Sequence, residues 1–205
     1  MTAPLVAPMP AVIAPPPETG RGTAARVAVT SLRLTDFRNH ASLGLDGDGR
    51  HVVLAGDNGV GKTNILEALS LLSPGRGLRR ARLDEMARLG GSGAWSVFAR
   101  LDGPDGEVKI GTGFEATGED EARVRRVRID GETARSADAL LDHVRVLWLT
   151  PAMDGLFTGP AAERRRFLDR LVLALTPGHG AHVAAFEKAM RGRNRLLEDE
   201  RFDLA

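Results

Sequence analysis

The 205-residue chain contains no cysteine. That absence excludes a disulfide scaffold, a cysteine-ligated zinc or iron–sulfur centre and a cysteine nucleophile, and it is compatible with a cytosolic setting. Lysine is scarce too: of 28 basic residues only Lys62, Lys109 and Lys188 are lysines, and the other 25 are arginines. In a chain that uses arginine almost everywhere, each lysine position is informative. Aromatic residues make up 4% of the chain against 42% hydrophobic residues, which predicts an aliphatic core. Neither charge sign dominates. The net charge of +1 with histidines neutral excludes a histone-like polycation but leaves room for a local basic face. No apolar run approaches the roughly 18 residues of a membrane-spanning helix. The N-terminus lacks a basic patch followed by an uninterrupted apolar stretch, so it does not read as a signal peptide.

What is present is unevenly distributed. Six of the 11 prolines lie in the first 17 residues, among Ala, Thr and Gly. Proline removes ladder donors and this composition buries little, so residues 1–26 read as a disordered Pro/Ala-rich extension. From there the pattern predicts strands over 27–34 and 41–46, separated by a polar turn at Phe37-Arg38-Asn39-His40. A short apolar run, 51–55, is rich in β-branched residues and reads as a buried strand. Residues 62–72 place Ile65, Leu66, Leu69 and Leu72 on one helical face. A basic loop, 75–82, follows Pro74. Residues 94–101, 107–114 and 122–129 alternate between turns and predict an antiparallel meander. Ser136 is a helix N-cap candidate, 144–149 reads as a further strand, and two helices are expected, one from Pro160 to about 175 and one over about 180–199.

The strongest chemical signal is Gly56-Asp57-Asn58-Gly59-Val60-Gly61-Lys62-Thr63, which satisfies the phosphate-loop pattern G-x-x-x-x-G-K-S/T. Glycines let the backbone fold into a nest whose N–H groups face anionic oxygens. The helix that starts at Lys62 adds its positive dipole end. In such a loop the lysine, here Lys62, reaches the β- and γ-phosphates, and the hydroxyl of Thr63 ligates Mg2+. The apolar strand before the motif and the amphipathic helix after it are the context the pattern requires, and they point to a bound nucleotide.

Two strands precede this loop. The segment 31–40 (SLRLTDFRNH) followed by 56–69 (GDNGVGKTNILEAL) resembles the ATPase heads of the SMC, Rad50 and RecF families. Two later segments narrow the resemblance to RecF: 72–82 (LSPGRGLRRAR), and 149–171 with Pro151, Gly159, Pro160, Arg164, Arg165, Phe167, Leu168 and Asp169 as anchors. No sustained heptad pattern follows Ile65, unlike in SMC-type heads. The resemblance spans about residues 27–205 and rests on four motifs in order. It implies an α/β fold, an ABC-type P-loop ATPase head that is incomplete here, with an antiparallel β meander and a helical segment towards the C-terminus. On that template 27–158 is the core lobe and 159–205 the start of a helical lobe, apparently truncated. Arg38 and Asn39 are implied as additional ATP contacts, the bland alternative being an exposed turn. After Pro151 the chain has Ala152 and Met153 where an acidic residue is common, and Asp154 is the nearby substitute.

A complete head also needs a Walker B segment ending in Asp-Glu, whose groups hold Mg2+ and position water, and a signature near S-x-G-x-Q. Neither occurs in the 205 residues, so the chain reads as the N-terminal portion of a RecF-type protein that hydrolyses almost no ATP. The resemblance further implies a cytoplasmic DNA repair and replication factor, linked to the SOS response. Such a protein binds single-stranded and gapped or junction DNA, acts with RecO- and RecR-type proteins, and uses ATP as a homodimerisation switch with weak DNA-dependent ATPase activity. Arg76, Arg79, Arg80 and Arg82 are the first DNA-binding candidates, because guanidinium clusters suit phosphate contacts, although a solvated charged face accounts for each cluster equally simply. Arg164, Arg165 and Arg166 belong to a family motif and read as serving the fold interior. His40, His51, His143, His179 and His182 form no ligand set and read as surface or capping residues. Two rival readings remain open: a P-loop kinase of a small molecule, and a non-catalytic fragment that only binds partners.

Overall fold

The computed structural model describes residues 11–13, 26–115, 124–176 and 178–199. They belong to two compact units, Met1–Val146 and Leu147–Ala205. In chain order the strands are β1 (Ala11–Ile13), β2 (Ala28–Phe37), β3 (His40–Asp46), β4 (Val53–Ala55), β5 (Trp95–Gly103), β6 (Gly106–Phe114), β7 (Arg126–Ile129) and β8 (Glu132–Thr133). The helices are α1 (Lys62–Ser70), α2 (Ala161–Leu175) and α3 (His179–Asp199).

Six strands form one antiparallel sheet in the order β3-β2-β5-β6-β7-β8. The hairpin before the glycine-rich loop and the meander after it are thus one sheet, joined where β2 pairs with β5 through Leu32↔Ala99 and Leu34↔Val97. Alternation along the strands makes this sheet one-sided. Trp95, Val97, Ala99 and Leu101 of β5 are buried, as are Ile110 and Phe114 of β6 and Val127 of β7. Helix α1 contributes Ile65 and Ala68 to the same core, and Leu71 and Leu72 follow just past its end. Each such aliphatic side chain stabilises the unit by roughly 1.5–3 kcal/mol on burial.

Phe37 departs from the expected polar turn. It ends β2, is fully buried, and packs edge-on against Trp95 with ring centroids 5.4 Å apart. Strict alternation from Leu34 would turn Phe37 outward. Asp36 (φ 47) and Arg38 (φ 55) break the alternation on either side and turn it in. Asp36 in turn is fixed by Arg88 and Ser92, through bonds of 2.7 Å and 3.0 Å.

Three further expectations change. Residues 51–55 do not form a buried strand: β4 covers only three of them, and Val52 and Val53 are each 53% exposed. This strand lies outside the six-stranded sheet and, among the described strands, pairs with β1, through Ala11↔Ala55 and Ile13↔Val53. That ladder falls within the proline-rich segment, in three apolar residues free of proline. The remainder of the expected disordered extension lies outside the described residues, apart from Arg26. Residues 144–149 form no strand, because no described strand pairs with them; Val144 and Val146 pack at the margin of the core instead. The Ser136 cap is present, its side chain accepting from Asp138 N at 3.2 Å, but it opens a 3-10 helix, Ala137–Asp142.

In the second unit α2 follows Pro160, whose φ of −58° suits a helix entrance. Arg164 donates to Gly159 O at 2.6 Å and secures that entrance. Arg165 stacks over Phe186 at 3.9 Å, and Arg170 over Trp148 at 4.1 Å. His179 Nε2 lies 3.1 Å from Asp169 Oδ1, tying the two helices together. Asp154 caps a 3-10 turn, Pro151–Met153, and is exposed. No described helix is long and apolar enough to cross a membrane.

Candidate functional site

The glycine-rich loop runs from the end of β4 to the start of α1. Its glycines carry the backbone where other residues resist going: Gly59 has φ 91 and Gly61 φ 104. A side chain in the left-handed region costs roughly 1–2 kcal/mol. At Gly61 there is also no space, since a Cβ would lie 2.5 Å from His40 Nε2 and 2.7 Å from Asn39 Oδ1. At Gly59 the requirement is conformational only, because nothing approaches within 4 Å.

Helix α1 has no side-chain N-cap and no acidic residue in its first turn. Its leading N–H groups are therefore open to an anion, as the dipole favours. Lys62 Nζ donates to the carbonyls of Gly56 and Asp57, both at 2.7 Å, so the ammonium is held against the loop itself. Thr63, Asp57 and Asn58 are exposed and Val60 is half-buried. The loop thus combines an open helix N-terminus, an aimed cation and an accessible hydroxyl. That donor set fits a nucleotide polyphosphate, with the Thr63 hydroxyl available to a divalent cation.

The two residues after β2 have different surroundings. Asn39 Nδ2 donates to Gly59 O at 3.4 Å, and Asn39 Oδ1 accepts from Asn64 Nδ2 at 2.7 Å, so Asn39 touches the loop. Arg38 faces Glu67 instead, with Nε to Oε2 at 2.8 Å and Nη2 to Oε1 at 2.6 Å, and its Nη1 reaches Glu85 O at 2.7 Å. Glu67 is wholly buried and takes a second cation, Arg79 Nη1, at 2.7 Å. Two buried site residues escape a reading of the sequence alone. His40 is buried and sits 3.4 Å from Gly61 O, rather than lying at the surface. Glu67 falls between Ile65 and Ala68 on the apolar face of α1. That placement is the one sequence signal that marks it.

The basic loop after α1 is anchored rather than free. Leu78 N donates to Ser70 Oγ at 2.6 Å. Arg125, from the start of the segment that leads into β7, turns inward towards the base of this loop. It bonds Ser73 O and Gly75 O at 3.0 Å each and Thr112 Oγ1 at 2.7 Å, and also the carbonyl of Leu71. Burial lowers its pKa to about 10. Of the four DNA candidates, Arg79 is committed to Asn64 and Glu67, and Arg82 pairs with Asp84 at 3.0 Å. Arg76 and Arg80 are exposed, Arg80 with φ 56. Arg76 also lines an open groove of about 730 Å³ together with Arg126 and Arg135. No group of three or more His, Asp or Glu among the described residues is arranged to hold a metal ion.

No family model matches the chain. Curated relatives do. It is 62% identical over 178 residues to the DNA replication and repair protein RecF of Rhizobium leguminosarum bv. trifolii, covering 87% of this chain and 47% of the relative. Against the protein of the same name from Agrobacterium fabrum the identity is 62% over 179 residues, with the same coverage. For Mesorhizobium japonicum it is 63% over 175 residues, covering 85% and 46%. The chain thus spans about half the length of these relatives. Two solved structures share its fold. The recombination mediator protein RecF-ATPrS gives a TM-score of 0.72 at 21% identity, covering 87% of this chain and 47% of that one. The RecF-ATP structure gives 0.68 at 22% identity, covering 88% and 49%. The fold is accordingly that of these structures, an ABC-type P-loop ATPase fold, and this α/β chain spans less than half of their length. With such identity sustained over most of its length, this chain belongs to the RecF family and corresponds to the N-terminal portion of its members.

Proposed function

We propose that the chain is the nucleotide-binding portion of a RecF-type DNA replication and repair protein, and that it takes ATP with Mg2+ at residues 56–63. The observation that carries this reading is the loop itself. Two left-handed glycines, an uncapped helix start and Lys62 converge on one concave stretch of backbone. Lys62 and the N–H groups at the start of α1 would hold the phosphates, the Thr63 hydroxyl would face Mg2+, and Asn39 would meet the nucleotide beside Gly59. Arg38 is the weaker contact of that pair, since Glu67 already occupies its fork. Bound Mg2+-ATP supplies a compact block of charge that a second head can grip, which suits a homodimerisation switch. Hydrolysis is expected to be negligible in these 205 residues, which hold neither an apolar run ending in Asp-Glu nor an S-x-G-x-Q motif.

For DNA, single-stranded, gapped or junction, we propose Arg76 and Arg80 as the phosphate contacts, because they are exposed and, among the described residues, Arg79 and Arg82 are the candidates held by acceptors of the fold. RecO- and RecR-type proteins as partners, a cytoplasmic location and a role in the SOS response follow from the same reading. Anisotropy of a fluorescent ATP analogue, with and without Mg2+, tests the nucleotide site. Saturable binding lost in Lys62→Ala supports it, and binding that survives the substitution overturns it. Gapped-DNA binding titrated with salt tests the second contact. Replacing Arg76 and Arg80 by alanine is expected to reduce the slope of log K against log salt by about 1–2. An unchanged slope removes these residues from the interface.

A further inference from the structure

We infer that Asn39, Asn64, Arg79 and Glu67 form a side-chain line that couples nucleotide at residues 56–63 to the order of the arginine loop 75–82. In this line Arg79 is a positioning residue and not a DNA contact. The inference rests on the nucleotide reading above and goes beyond it.

The line is continuous. Asn39 Nδ2 donates to Gly59 O at 3.4 Å, and Asn64 Nδ2 donates to Asn39 Oδ1 at 2.7 Å. Arg79 Nη1 then donates to Asn64 Oδ1 and to Glu67 Oε2, both at 2.7 Å. Asn64 is the obligate joint. Its amide donates on one side and accepts on the other, so neither partner can leave without stranding a polar group or forcing the amide to turn. The far end is rigid: Glu67 is wholly buried, and Arg38 holds both of its oxygens. The near end is loose, since the 3.4 Å contact to Gly59 is the longest in the chain of bonds. That contact lies on the backbone that must settle around a phosphate.

The arginine loop is fastened at several points. Arg125 holds its base at Ser73 and Gly75, Ser70 Oγ receives Leu78 N, Arg79 pins its middle, and Arg82 ties its end to Asp84 and Glu85. Only the Arg79 fastening leads to the glycine-rich loop. Phosphate that immobilises Gly59 removes freedom from Asn39 and Asn64, and the loop pinned to Asn64 through Arg79 becomes ordered with them. Two sites linked through a shared loss of motion are coupled without any large displacement. Arg76 and Arg80, on either side of Arg79, are then presented in a fixed pose only when nucleotide is bound.

Hydrogen–deuterium exchange on the 205-residue chain, with and without Mg2+ and a slowly hydrolysed ATP analogue, tests this. The expected result is slower exchange in two peptides, one over residues 56–63 and one over 75–82, the second by about fivefold, the low end of ordinary coupling. Asn64→Ala leaves the buried Glu67 with both arginines, so the chain still folds. In that variant nucleotide should still protect 56–63 but no longer slow exchange in 75–82. Arg79→Ala should do the same, and Arg79→Lys should restore part of the response. Protection at 56–63 with none at 75–82 in the unmodified chain overturns the coupling alone. No protection at either peptide overturns the nucleotide reading as well. An undiminished response in both Asn64→Ala and Arg79→Ala assigns the ordering to another route and overturns the line drawn here.

Discussion

Replacing Glu67 by glutamine tests the energetics that hold the site together. The carboxylate is wholly buried and neutralised by two guanidinium groups, with bonds of 2.6 Å and 2.8 Å from Arg38 and 2.7 Å from Arg79. Removing one partner of a buried ion pair costs roughly 3–5 kcal/mol, because the other charge is left in a poorly solvated place. Here the stranded charges are partly wetted: the side chains of Arg38 and Arg79 are 18% and 42% exposed. Glutamine also keeps the volume and one acceptor. The expected loss for Glu67→Gln is therefore near the bottom of that range, about 3 kcal/mol. For a chain of this size that is a fall in Tm of about 6–12 °C. Arg79→Ala should cost only about 1 kcal/mol, since Arg38 still neutralises Glu67 through both oxygens. Urea unfolding followed by tryptophan fluorescence measures both, in a Trp148→Phe background so that Trp95 reports the first unit alone. A Glu67→Gln loss below about 1 kcal/mol, or an Arg79→Ala loss larger than it, refutes the buried pairing as described.

Three further outcomes are expected. Gly61→Ala should destabilise the loop by about 2 kcal/mol or more, because it meets a positive φ as well as His40 and Asn39; adding His40→Ala should recover only the share of the clash that His40 causes, as read from paired unfolding curves. Arg125→Met should cost about 2–3 kcal/mol by leaving buried carbonyls without a donor, and should speed tryptic cleavage after Arg76, measured by fragment mass. Hydrogen bonds from Arg88 and then Ser92 hold the Asp36 carboxyl below its ordinary value of 3.8. Its stabilisation is therefore complete above that value and lost as pH falls through the lowered one, so Asp36→Asn should flatten the acid limb of a stability profile.

Much of the organisation was legible in the amino-acid pattern. Val97, Ala99 and Leu101 alternate with Ser96, Phe98 and Arg100, and a period of two is read without knowing what lies across the core. The phosphate loop was legible because its chemistry is local: glycine conformations, a following helix and a lysine within reach all lie within eight residues. Strand 144–149 failed because an apolar run specifies a strand only where a partner edge exists. Phe37 failed because two left-handed residues overrode alternation. The arginine loop divided against expectation: Arg79 and Arg82 are used by the fold while Arg76 and Arg80 face solvent.

By itself, then, the sequence determined where the phosphate-loop pattern lies, which residue types compose it and which family the chain resembles, since those properties are carried by short contiguous stretches. Only the tertiary structure decided the partners of each charge. Glu67, Arg38 and Arg79 come from a helix, a hairpin turn and a loop, and lie 12 and 29 residues apart along the chain. Nothing in their local spacing sets them together. They meet because the one-sided sheet and α1 bury a common apolar core, and a carboxylate drawn into that core must find its counter-charges there.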